Sequence, residues 1–120
     1  MLTFKPTIQK QIERIVKRYP VESGQCSRCA KQIYNLLTSE GFSAQIGRME
    51  TDFRFLVTHD GVRLSHRVCN CLVYYEFVRV GDHVVNGMTG PMGMEWNDYQ
   101  KLFYEGVFDD GTIRVEYSTP

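Results

Sequence analysis

Apolar residues first recur at helical spacing. Ile8, Ile12, Ile15 and Val16 share one side of a helix, and Lys10, Glu13, Arg14, Lys17 and Arg18 take the other. With Pro6 at the start and Pro20 beyond the end, this predicts a helix from Pro6 to about Arg18. After a short loop, Val21 to Gln25, the spacing resumes in Ala30, Ile33, Leu36 and Leu37. It stops at Gly41, a residue suited to the left-handed turn that closes a helix, so a second helix is predicted from near Cys26.

From Phe42 onward the period changes. Phe53, Phe55 and Val57 alternate, Asp60-Gly61 is a turn signal, and Val62 and Leu64 alternate after it, which predicts a hairpin. Val68 to Val80 is rich in β-branched and aromatic residues and reads as one long strand. Gly81-Asp82 can reverse it so that His83 to Asn86 returns antiparallel. Gly87 to Gly93 reads as a loop, and Trp96, Tyr99, Leu102 and Phe103 mark a short helix. Gly106 to Phe108 and Thr112 to Tyr117 are strand candidates on either side of Asp109-Asp110-Gly111. Helices followed by a mainly antiparallel sheet define an α+β class, and 120 residues without a repeat or linker fit a single domain over residues 1–120.

Composition narrows the classes of function. Lys plus Arg equals Asp plus Glu at 14 each, so no overall field gathers nucleic acid or anionic membrane. The basic residues of the first helix are interleaved with Glu13, as on a wet helical face. No apolar run approaches the roughly 20 residues of a membrane span, and Lys5, Lys10 and Glu13 stand where a signal peptide needs its apolar core. The expectation is a soluble chain with four cysteines held as thiols.

The strongest chemical signal is Gly24-Gln25-Cys26-Ser27-Arg28-Cys29-Ala30, which sets a thiol in the first turn of a helix. Unpaired N–H groups and the positive end of the helix dipole favour a thiolate there, Arg28 adds a cation, and the same N–H groups suit an oxyanion. Cys29 falls on the side of Ile33, Leu36 and Leu37 and reads as core. The candidate bases are His59, His66 and His83. His59 and His83 flank turns, whereas His66 opens the long strand. Asn86 could accept from an imidazole N–H and fix its tautomer. A two-residue turn at Gly81-Asp82 sets Asn86 opposite Phe77 and leaves His66 well down the strand. Pairing His66 with Asn86 therefore requires a bulge, a bend or a longer reversal than those two residues, failing which His83 becomes the base.

Two other classes compete. Cys26, Cys29, Cys69 and Cys71 supply four thiols, enough for a tetrahedral zinc site in a structural or protein-interaction module. Met88, Met92, Met94, Trp96 and Tyr99 could form an apolar docking surface, though such spacing more often marks core. A thioredoxin-like reading of Cys26-x-x-Cys29 lacks the strand that should lead into it.

The order of motifs resembles the papain-fold toxin domains of bacterial polymorphic toxin systems. The shared features are Ile15-Val16-Lys17-Arg18-Tyr19-Pro20 closing a leading helix, Cys26-x-x-Cys29-Ala30 opening the next, a stop at Gly41 and a strand beginning at His66. Val84-Val85-Asn86 and a helix centred on Glu95-Trp96 follow. The resemblance implies a papain-like fold and a catalytic set of Cys26, His66 and Asn86, with no cofactor. It further implies a cysteine-dependent hydrolase, peptidase or protein glutamine deamidase, cytoplasmic or delivered into a target cell by a secretion system, acting on a protein substrate as a toxin effector with a cognate immunity protein. The glutamine that papain-type proteases place six residues before the nucleophile is absent, Pro20 standing there, which leaves the oxyanion role to backbone amides.

Overall fold

The computed structural model describes residues 2–53, 56–61, 63–64, 66–68 and 72–120, with backbone alone for residue 22, residues 63–64, 66–68 and 72–73. Among these residues the chain forms three helices and a mainly antiparallel sheet, an α+β fold. Helix α1 spans Pro6–Arg18 and α2 spans Cys26–Ser39, both at their predicted bounds, and Gly41 takes the left-handed conformation at φ 90° just beyond α2. The loop between them contains a short 3-10 turn, Val21–Ser23.

The sheet is built on β1 (Gln45–Thr51) and β5 (Leu72–Val80), which pair from Gln45↔Arg79 to Thr51↔Val73. Strand β8 (Arg114–Ser118) adds to the outer edge of β1, and β6 (His83–Val85) and β7 (Met94–Glu95) extend the sheet beyond β5. The predicted hairpin around Asp60-Gly61 forms from β2 (Leu56–Val57) and β3 (Arg63–Leu64). Helix α3 is short, Trp96–Gln100.

Two expectations are corrected, and one strand is added that the sequence pattern did not predict. Gln45–Thr51 carries little β signal, yet it is a central strand, because its neighbours on both edges supply the hydrogen bonds and burial that propensity does not. Gly106 to Phe108 forms turns instead of a strand, with Val107 N–H bonded to Tyr104 C=O and Ile113 N–H to Val107 C=O. The long strand read from Val68 to Val80 is two strands, β4 (His66–Val68) and β5, folded back so that His66 pairs with Tyr74 and Val68 with Leu72.

Each face of the sheet carries a core. Ile46, Val78 and Val85 lie on one face, packed with Phe4, Ile8, Ile12, Cys29, Ile33 and Leu37 of the N-terminal half. Met49, Phe77 and Val84 lie on the other, packed with Tyr99, Phe103 and Ile113. The alternation along β1, β5 and β6 divides the apolar residues between these layers, except that Tyr74, on the Val78 side by register, joins the second cluster. Among the described residues no helix is long and apolar enough to cross a membrane.

Candidate functional site

Cys26 opens α2, and Gln25 before it makes no side-chain cap; the Cys26 sulfur itself accepts from the Ser27 N–H of the first turn. The thiol is buried, 6% exposed, and packs with Met49, Tyr74, Tyr75, Phe77 and Tyr99, whereas Cys29 lies in the opposite layer with Ile33 and Leu37. Burial pushes the Cys26 thiol up from 9.0 to about 11, and the Glu76 carboxylate adds to the rise. Hydrogen bonds from the Glu76 backbone, and from the Ser27 hydroxyl and backbone, act in the opposite direction but do not prevail. Arg28 is exposed and is not among the groups that shift the thiol. The helix terminus alone therefore does not ionise Cys26 as expected, because desolvation exceeds what its N–H groups supply.

The reversal between β4 and β5 changes where His66 stands. Strand β1 occupies one edge of β5, pairing with Tyr74 and with Val78. Both β4, pairing at Leu72 to Tyr74, and β6, pairing at Val78 to Val80, must therefore lie along its other edge. The start of β4 and the end of β6 face each other across a gap beside residues 75–77 of β5. His66 is opposite Tyr74, and Asn86, next after the Val78↔Val85 pair, reaches the level of Phe77, about 10 Å farther along the strand. Cys26 meets β5 within this gap, at the Glu76 backbone. The side chain of His66 lies outside the described residues, as do Cys69 and Cys71.

Asn86 has other partners. Its Nδ2 donates to the Tyr99 hydroxyl at 2.8 Å, and its Oδ1 accepts from the backbone N–H groups of Met88 at 2.9 Å and Thr89 at 3.2 Å. Both lone pairs of that oxygen are used, which leaves no acceptor for an imidazole N–H. Asn86 thus closes the turn after β6 and fixes Tyr99, and the structure does not bring it to His66 as an orienting pair.

The other two histidines are also held elsewhere. His83 Nε2 bonds the Met92 carbonyl at 2.8 Å, its Nδ1 stands 3.7 Å from Glu95 Oε1, and its ring meets Phe4 edge-on at 5.6 Å. It pairs with Val80, four residues along β5 from Glu76, or about 13 Å. His59 is exposed and contacts Tyr104.

A polar cluster that the sequence reading missed adjoins the thiol. Ser27 donates to Glu76 Oε1 and lies 3.3 Å from the Tyr74 hydroxyl, and the Arg48 guanidinium stacks 3.8 Å from the centre of the Tyr74 ring. The available signal was Glu76 itself, a carboxylate inside the otherwise apolar run Leu72-Val73-Tyr74-Tyr75-Glu76-Phe77-Val78.

No family model, curated protein or solved structure matches this chain. The function is therefore read from the site's own geometry and from the motif order. Among the described residues no group of three or more His, Cys, Asp or Glu side chains is arranged to hold a metal. The proposed apolar docking surface is mostly interior: Tyr99 is fully buried and Met88, Met94 and Trp96 pack against the second core, which leaves Met92 exposed.

Proposed function

We propose that the chain is a cysteine-dependent hydrolase of papain-like fold, a peptidase or protein glutamine deamidase, with Cys26 as nucleophile and His66 as general base. The observation that carries this reading is the meeting of the α2 N-terminus with the open edge of β5, where the β4 reversal brings His66 opposite Tyr74. Diagonal neighbours on paired strands are within reach of long side chains, so Glu76, two positions from Tyr74, is the group proposed to orient His66 in place of Asn86.

The resting thiol is protonated. His66 accepts its proton as the sulfur attacks an amide carbonyl, the imidazolium returns it to the leaving amine or ammonia, and water then hydrolyses the acyl-enzyme. The backbone N–H groups at the start of α2, one of which, that of Ser27, bonds the resting Cys26 sulfur, are suited to the oxyanion. The motif order extends the proposal to a toxin effector acting on a protein of a competitor cell, with an immunity protein as partner.

A second reading is favoured by one observation, the burial and raised titration of Cys26. In it the thiol is a core group and the chain is a binding module. Native iodoacetamide labelling across pH, with mass spectrometry to locate the modified cysteine, separates the two readings. The hydrolase reading expects Cys26 to label at about pH 7.5 at least ~10-fold faster than in His66→Ala, with His83→Ala unaffected. Labelling of Cys26 that follows a single titration far above neutrality, the same in all variants, leaves only the binding module.

A further inference from the structure

Helix α2 carries its charges the wrong way round. Its first turn holds no acidic residue and no side-chain cap, yet Arg28 and Lys31 sit in its first two turns, both exposed. Cations at that end oppose the helix dipole, and like charges three residues apart repel each other. Neither makes an ion pair or hydrogen bond among the described residues. Lys17, Arg48, Arg79, Lys101 and Arg114 each have a carboxylate within 3.9 Å, whereas Lys5, Lys10, Arg14 and Arg18 in and before α1 share with Arg28 and Lys31 the lack of an ion pair among the described residues. A local arrangement that costs helix stability without an internal partner is the kind retained for a ligand.

The two cations line one open groove of about 580 Å³ with Tyr19, Ser27 and Gln32. They are its only charged residues among the described ones, and within the same lining Gln32 Nε2 donates to the Tyr19 hydroxyl at 3.3 Å. Ser27 is shared with the candidate active site, since it follows Cys26 and bonds Glu76. The groove therefore adjoins the candidate nucleophile through Ser27.

We propose that the groove is a subsite for the carboxylate of a peptide substrate, so that the hydrolase acts on amides flanked by Asp or Glu. This rests on the hydrolase reading and supplies its substrate class. Guanidinium and ammonium donors make charge-assisted hydrogen bonds to a carboxylate, and an anion bound there also offsets the repulsion between Arg28 and Lys31. The net charge of the chain is zero, so this selection is local rather than a general affinity for polyanions.

The test compares two fluorescently labelled glutamine-containing peptides, identical except for Glu or Lys flanks, binding to the intact protein. The expected result is binding of the acidic peptide about 10-fold tighter at low salt, with the gap narrowing as salt is raised. In the double variant Arg28→Glu, Lys31→Glu the preference is lost or reversed. The Tm of that variant rises by roughly 3 °C, because the new carboxylates complement the helix dipole. Equal binding of the two peptides, a preference that survives charge reversal, or a lowered Tm overturns the proposal. So does an oligothymidylate that binds as tightly as the acidic peptide, which would mark a polyanion site. Failure of the hydrolase reading is seen separately, as Cys26 labelling that ignores His66 in a protein that still prefers the acidic peptide.

Discussion

Cys26 shows how a residue's type and its surroundings can pull in opposite directions. The start of a helix favours a thiolate, but the same position buries the sulfur beside the Glu76 carboxylate, and the thiol rises to about 11. The raised value has a consequence for stability. Below pH 9 both folded and unfolded states hold the proton and Cys26 contributes no pH dependence. Between 9 and 11 the unfolded chain loses its proton first, so the folded state is disfavoured as pH rises. Urea denaturation should therefore show stability falling over this window, by about 2 to 3 kcal/mol from Cys26 alone, with a shallower fall in Cys26→Ala. Cys29, also raised to about 11, keeps in that variant the part of the slope that its burial causes and loses the part due to the Cys26 charge. Asn86 is the residue whose type was legible and whose role was not. It satisfies Tyr99 and two backbone N–H groups, so Asn86→Ala should cost roughly 2 to 4 kcal/mol in denaturant titration by leaving buried polar groups unpaired. If stability is unchanged, the structural role assigned to it is wrong.

At the scale of elements, the helices were legible because each buries an apolar stripe that recurs along its own sequence, as with Ile8 and Ile12 or Ile33 and Leu37. Strand β1 was not, because Gln45-Ile46-Gly47-Arg48-Met49-Glu50-Thr51 owes its place to β5 on one side and β8 on the other. Gly47 makes the dependence concrete. It pairs with Phe77, whose ring lies over it, and a Cβ there would meet the ring at 2.3 Å. Phe77 is in turn stacked on Trp96 at 5.5 Å, so the ring has little room to yield. Gly47→Ala should cost about 1 to 3 kcal/mol, and adding Phe77→Leu should cost less than the sum of the single changes, a coupling that a double-mutant cycle measures. Additive costs would contradict the contact. The β4 to β5 reversal was hidden for a related reason. The run from Val68 to Val80 is β-rich apart from Cys69-Asn70-Cys71, and its one turn-prone residue, Asn70, has no Gly or Pro beside it to mark the reversal.

Across the whole molecule, the sheet separates two cores, so distant substitutions on its two faces should act independently. Ile33→Val in the α1 and α2 layer and Phe103→Leu in the opposite layer should each cost about 1 kcal/mol and sum to within about 0.5 kcal/mol. Strong coupling between them would argue against two layers. Cys26 is the point where α2 leaves the first layer and joins the second, and this is why the candidate site forms there. The sequence by itself determined α1, α2, the Asp60-Gly61 and Gly81-Asp82 hairpins, the α+β class and the position of a thiol at a helix start. Those features depend on local periodicity, turn residues and capping, which are written in neighbouring positions. Only the tertiary structure decided that His66 folds back beside Tyr74, that Glu76 adjoins Cys26, that Asn86 is committed to Tyr99 and that His83 is held by Met92. Each of these depends on strand register and burial between segments far apart in the chain, and a periodic pattern carries no information about which segment will become its neighbour.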